Sequence, residues 1–352
     1  MDELLPDSEA LRAADPQGLI DSYLGFGEQL GGSYEPAASW GIEAGAARAV
    51  VFCGMGGSAA AGDLVSAAYS DDSPVPLEVV RGYRLPAWIG RDTLVIALSF
   101  SGNTEETITA FDEAAARGAH VVAISAGGKL GERAASGAGQ HVAISGVAPQ
   151  PRAALGSLTG AAVGVLVASG VLDDASSEIA GAAEDLATIR QELSGGTEGG
   201  RAAKAAGFVS SRVPVVWGSE GVSGTAAWRW KCAFNENAKI PAFASALPEL
   251  NHHEVVGWTK GHADAFCLIV LREPGEHGSV QKRLDATLPE IRAADVEVLE
   301  IRAEVGRTPL SRGLELMLVG DVASAYHAIE RGIDPAPIEA IARVKARLEE
   351  GS

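Results

Sequence analysis

Ser99, Ser101 and Thr104 crowd three hydroxyls around one glycine in the run Ser99-Phe100-Ser101-Gly102-Asn103-Thr104-Glu105-Glu106. A single hydroxyl at the head of a helix caps a backbone N–H, and that reading needs no ligand. Three hydroxyls, a glycine and the free N–H groups of a first helical turn offer more than a cap uses. Together they suit a phosphate dianion. Ser58 ends a second turn, Gly54-Met55-Gly56-Gly57-Ser58, and can supply a fourth hydroxyl. Gly56 and Gly57 let a ligand's phosphate approach the backbone there, or simply let the chain turn. The cluster also loosely matches a dinucleotide-binding turn. A nicotinamide enzyme places an acid at the end of the next strand, where this chain reads Glu78-Val79-Val80-Arg81, so that reading fits poorly.

A different chemistry is available between Trp228 and Gly257. The segment Arg229-Trp230-Lys231-Cys232-Ala233-Phe234-Asn235-Glu236-Asn237-Ala238-Lys239 sets cations, amides and the Glu236 carboxylate among aromatic residues. Pro248-Glu249-Leu250-Asn251-His252-His253-Glu254 follows. A glutamate beside apolar groups and near a lysine can act as a general base, and a histidine as acid or base. The first segment also reads as the charged face of a surface helix. Neither HxxxH nor HExxH spacing occurs at the histidine pair and adjacent side chains diverge, so no metal is expected.

Parallel sheets are what place such turns. Ala49–Cys53, Thr93–Leu98 and His120–Ser125 are short apolar runs of buried-strand length, and Val213–Trp217, Phe266–Leu271 and Val296–Ile301 repeat the pattern. Ile108, Phe111 and Ala115 share one face of a helix after the hydroxyl turn. Strands alternating with helices predict an α/β fold of two doubly wound lobes, each a mainly parallel sheet flanked by helices. The flexible composition of Ser194-Gly195-Gly196-Thr197-Glu198-Gly199-Gly200 divides residues 1–195 from 196–352. One large sheet is the alternative. In the second lobe the strand equivalent to Thr93–Leu98 runs into Arg272-Glu273-Pro274-Gly275 and offers no hydroxyl socket.

Charge narrows the partners. With 28 Lys and Arg against 46 Asp and Glu, the net charge of −18 repels nucleic acid and anionic membrane surfaces. It leaves room for a phosphorylated metabolite held by backbone N–H groups. The three cysteines, Cys53, Cys232 and Cys267, form neither a CxxC pair nor a disulfide framework. Met1–Ile20 lacks the basic start and apolar run of a signal peptide, and no apolar run is expected to span a membrane. A cytoplasmic protein is expected.

The chain resembles the bifunctional phosphoglucose/phosphomannose isomerases, which are built from tandem sugar-isomerase (SIS) domains. The resemblance is carried by Gly54–Ser58, Ser99–Glu106, Pro151-Arg152-Ala153-Ala154-Leu155-Gly156, Asn235–Lys239, Pro248–His252 and Asp334-Pro335. The hydroxyl turn marks any SIS domain; the Asn235–Lys239 and Pro248–His252 segments, in order after it, are far more specific. The resemblance implies that Ser58, Ser99, Ser101 and Thr104 hold the substrate phosphate, with Gly56 and Gly57 in the pocket. It implies that Arg152 stabilises an enediolate, Glu236 moves a proton between C1 and C2, and His252 opens the sugar ring with help from Lys345. It further implies a homodimer whose active site takes His252 from the neighbouring subunit, a phosphorylated hexose substrate, and no metal or redox cofactor. Ala336 stands where the family often has Thr, and His253 where it often has Asn. A non-catalytic phosphosugar-binding regulator is the alternative; it would keep the hydroxyl turn and need neither Glu236, His252 nor Arg152.

Overall fold

Continuous apolar runs form strands covered on both faces, and the computed structural model bears this out in residues 9–42, 47–145, 148–194, 200–258 and 264–350, which it describes. The first eight residues and Gly195–Gly199 of the proposed joint lie outside the described residues. Helices α1 (Glu9–Ala14), α2 (Leu19–Leu24) and α3 (Phe26–Ala38) precede β1 (Ala49–Gly54). Then come α4 (Gly56–Ala68), β2 (Leu77–Val80), β3 (Thr93–Leu98), α5 (Glu105–Ala116), β4 (His120–Ser125), α6 (Gly128–Arg133) and β5 (Gln140–Ala143). Helices α7 (Leu155–Ala168) and α8 (Ser176–Ser194) close the first half. The second half holds α9 (Arg201–Val209), β6 (Val213–Ser219), α10 (Val222–Glu236), β7 (Phe243–Leu247) and α11 (Glu254–Gly257). It continues through β8 (Phe266–Arg272), α12 (Gly278–Ala293), β9 (Val298–Arg302), α13 (Pro309–Glu330) and α14 (Glu339–Glu350).

There are two sheets among the described residues, with strand orders β2-β1-β3-β4-β5 and β7-β6-β8-β9. All their ladders are parallel. The order of the second sheet repeats that of the first without its last strand. β3 and β4 occupy the residues expected of them. β9 starts two residues later than expected, because its ladder begins where Val298 meets Leu268. In the first sheet the chain leaves β1 toward one edge and β3 toward the other. The crevice between their carboxyl ends is therefore the topological switch point, where open α/β sheets bind ligands. Gly54 pairs with Leu98, which sets the turn after β1 beside the turn after β3.

Helix α13 joins the lobes. Most of its length is buried, and the largest cluster of buried apolar residues runs from Val50 and Leu64 in one lobe to Ile269 and Leu316 in the other. Two glycines allow that packing: a Cβ on Gly313 would lie 2.4 Å from Leu64 Cδ1, and one on Gly320 would lie 2.3 Å from Trp230 Nε1. Trp230 then donates its indole N–H to the Leu316 carbonyl at 2.7 Å. Pro151–Ala168 departs from the sequence expectation. By length and composition it could cross a membrane, with a mean hydropathy of 1.3, but 83% of it is buried inside the protein, as in a core helix.

Candidate active site

At the first switch point the hydroxyls brace one another. Ser99 is 1% exposed; its Oγ lies 3.0 Å from Thr104 Oγ1 and accepts the Gly102 N–H at 3.1 Å. Ser101 is exposed and its Oγ accepts the Asn103 N–H. Ser58 Oγ accepts the Phe100 N–H at 3.2 Å and so ties the two turns together. Thr104 occupies the N-cap position of α5 without its hydroxyl capping that helix, and Met55 at the head of α4 provides no side-chain cap either. Two uncapped helix N-termini thus meet at the crevice, with backbone N–H groups and positive dipole ends that suit an anion. Gly102 has φ +67° and packs so tightly on the loop after β4 that a Cβ would fall 1.8 Å from the Gly127 carbonyl oxygen. No other residue type fits there.

The second switch point is already filled. Arg272 Nε lies 2.9 Å from Glu276 and Arg312 Nε 2.7 Å from Glu273, so carboxylates occupy the loop after β8. The following helix, α12, is capped by the His277 ring, which accepts the Ser279 N–H. A phosphate dianion would meet two carboxylates there, and the ion pairs account for the absence of a hydroxyl socket noted in the sequence.

Between the lobes sits a buried arginine. Arg152 lies in the short 3-10 turn Pro151–Ala154 and is 3% exposed. Its Nε donates to Asn237 Oδ1 at 2.8 Å, and its Nη2 donates to the carbonyls of Pro335 and Ala336 at 3.0 and 2.9 Å. Its Nη1 lies 3.5 Å from Glu236 Oε2, is buried and has no hydrogen-bond partner among the described residues. Glu236 is the last residue of α10 and is partly open to a cavity of about 570 Å³, lined also by Asn235, Lys239, Asp334, Pro337 and Ile341. A cavity of that size suits a small metabolite. The arrangement offers a proton acceptor beside an unspent guanidinium edge, which suits removal of a proton next to a carbonyl and stabilisation of the resulting oxyanion.

Buried polar groups hold the guanidinium in that pose. Asn237 is 0% exposed and donates to Ser324 Oγ at 2.9 Å and Tyr23 Oη at 3.1 Å while accepting from Arg152. Arg229 makes a two-pronged pair with Asp321, both contacts at 2.9 Å, and donates to the Arg152 carbonyl at 2.6 Å. Burial raises the Asp321 carboxyl above its ordinary value, opposed by Arg229. The expectation that Arg229 could lie on a charged surface face is therefore corrected: it is buried inside α10, and Trp228 and Lys231 take the outer side. Gly57 connects this network to the hydroxyl turns, since a Cβ there would lie 2.8 Å from Arg152 Cα. Gly56 has φ +52° and no neighbour near its Cβ direction, so its requirement is the left-handed turn itself.

Not every expected residue gathers here. Ser58, Ser99, Ser101 and Thr104 do not line the Glu236 cavity; they reach it through Gly57 and Arg152. His252 is exposed in the 3-10 turn Glu249–His252 after β7 and is not among the cavity's lining residues. Lys345 is exposed on α14, one helical turn beyond the cavity-lining Ile341. Asn237, Arg229, Asp321 and Tyr23 carried no sequence signal of a shared network. Only the amide-rich Asn235–Lys239 stretch pointed toward part of it.

The family model described as the bacterial phospho-glucose isomerase C-terminal SIS domain matches residues 198–348, and the SIS domain model matches residues 46–149. The bifunctional phosphoglucose/phosphomannose isomerase of Caldicellulosiruptor bescii is 33% identical over 339 residues, 94% of this chain and 99% of that protein. The protein of the same name from Aquifex aeolicus is 34% identical over 306 residues, 86% of this chain and 91% of that one. Among solved structures, the tagatose-6-phosphate ketose/aldose isomerase of Escherichia coli aligns with a TM-score of 0.70 at 14% identity, covering 91% of this chain and 95% of that one. At that identity the likeness is one of fold.

Proposed function

The chain belongs to the bifunctional phosphoglucose/phosphomannose isomerase family, and from that premise we propose that it interconverts glucose 6-phosphate and mannose 6-phosphate with fructose 6-phosphate at one site. The observation that carries the reading is the Glu236 carboxylate 3.5 Å from Arg152 Nη1, a buried donor with no other partner among the described residues. With an open-chain aldose bound, Glu236 takes the proton from C2, and the electron pair moves through C1 onto O1. The enediolate carries its negative charge on O1, and on O2 once the hydroxyl proton has moved, against the Arg152 edge. Return of the proton to C1, with the O2 hydroxyl proton passing to O1, gives the ketose. C2 is planar in the intermediate, so the same base serves both epimers if the C2–C3 bond can turn. The chemistry calls for neither metal nor redox cofactor.

The 6-phosphate binds at Ser58, Ser99, Ser101 and Thr104 in residues 1–195, and residues 196–352 supply the base. The uncapped heads of α4 and α5 support this division. His252 acts in ring opening from a second subunit of a homodimer, with Lys345 assisting. The exposure of His252 away from its own Glu236 cavity supports the shared site. The enzyme works in the cytoplasm on free phosphohexoses. Assays coupled to fructose 6-phosphate formation, run separately with each aldose and with EDTA, test the reading. Turnover of both that survives EDTA is expected. No turnover of either by folded protein sinks it, and retained turnover in Glu236→Gln would put the base elsewhere.

A further inference from the structure

Besides the nearby Arg152, the cation Lys239 lines the Glu236 cavity, and its backbone takes a conformation that lysine rarely adopts. Lys239 has φ +58°, in the left-handed region that favours glycine at helix ends. Its ammonium donates to the Glu236 carbonyl at 2.5 Å and to the Pro335 carbonyl at 3.0 Å. The Pro335 carbonyl also accepts Arg152 Nη2 at 3.0 Å, so one oxygen receives both cations. A lysine that only capped α10 would be satisfied by the first bond. The second crosses 96 residues of chain to the turn that seats the arginine. The ammonium stays there against an electrostatic cost, since burial and then the Arg152 guanidinium push it below the ordinary lysine value.

We propose that Lys239 is a positioning residue for the isomerisation, acting through Glu236 and Arg152. It ties the end of α10, which carries the base, to the Pro335–Ala336 carbonyls that hold the guanidinium. The separation between proton acceptor and oxyanion donor is thereby kept constant while substrate enters and leaves. This rests on the isomerase reading given above. Displacing a catalytic group by about 1 Å slows chemistry on the order of 100-fold without weakening a remote anchor. The consequence of losing the tie is a slower proton transfer with phosphate binding preserved.

The test compares Lys239→Gly, Lys239→Met and Lys239→Arg with the parent enzyme. The glycine variant is free of strain at φ +58° and keeps the fold accessible. Steady-state kinetics are read together with melting temperature and the primary isotope effect on 2-deuterio glucose 6-phosphate. Expected for Gly and Met are a kcat lower by about 10- to 100-fold, a KM within about threefold of the parent and a larger isotope effect, as proton transfer becomes limiting. Lys239→Arg recovers part of the rate. Folded variants with unchanged kcat, or a lower kcat with an unchanged isotope effect, overturn the proposal. An inactive parent enzyme would instead sink the isomerase reading, and this one with it.

Discussion

Replacing Arg152 by lysine keeps the positive charge and removes the fork, so it separates charge from geometry. The guanidinium reaches Asn237 with Nε, the Pro335 and Ala336 carbonyls with Nη2, and leaves Nη1 facing Glu236. An ammonium offers its three hydrogens from one atom and cannot serve these separated directions at once. If it stays with the two carbonyls, Asn237 Oδ1 loses a charged donor and the enediolate loses its edge. Loss of one preorganised oxyanion donor costs on the order of 100- to 1,000-fold in kcat. Asn237 Oδ1 then keeps only the Tyr23 hydroxyl at 3.2 Å, and losing the charged donor costs about 1–3 kcal/mol of stability. Because the proposed phosphate anchor uses other side chains, those of Ser58, Ser99, Ser101 and Thr104, KM should change little. The assay is steady-state turnover of both aldoses by Arg152→Lys and Arg152→Ala, with melting curves for each. Both variants should fall to similar kcat values. A lysine variant within about fivefold of the parent enzyme would refute the geometric argument, because charge alone would then suffice. A raised KM at constant kcat would make Arg152 a ground-state binder instead.

Two further predictions concern the scaffold. Gly57→Ala forces a Cβ to within 2.8 Å of Arg152 Cα, a backbone atom that cannot swing aside as a side-chain end would. It should cost about 1–3 kcal/mol of stability and reduce kcat as Arg152 shifts, read by thermal melting and turnover; parental values in both would mean the contact can relax. His327 is 2% exposed, its Nδ1 lies 3.1 Å from the Ala206 carbonyl, and burial holds its pKa below the ordinary 6.5. Between 6.5 and that lower value the unfolded chain binds a proton that the folded chain does not. Stability from this group is therefore fully present above 6.5 and falls as pH drops through the window. Denaturant unfolding at about pH 7 and about pH 5.5 should show a smaller loss in His327→Leu than in the parent; equal losses would show that His327 is not the group responsible.

Local pattern carried much of this protein. Thr93–Leu98 and His120–Ser125 were legible as strands because both faces are buried and the residues between turn signals are nearly all apolar. The hydroxyl turn was legible because Ser99, Ser101 and Thr104 lie within six residues of one another. The candidate base and arginine could be named from motifs, yet nothing in the sequence said they meet. That contact depends on Arg152 reaching Asn237 across 85 residues and Ala336 across 184. Gly57 reads as a turn residue in the sequence, and only the packed structure gives it the arginine backbone as a neighbour. Arg229 likewise reads as a surface charge until Asp321, one face of a helix nearly a hundred residues later, is folded against it. Side-chain periodicity and turn chemistry are properties of neighbours in the chain, so the sequence determined the elements, their order and the residue types at the site. The tertiary structure decided which guanidinium edge stays free, because that follows from how distant segments use up every other hydrogen-bonding direction.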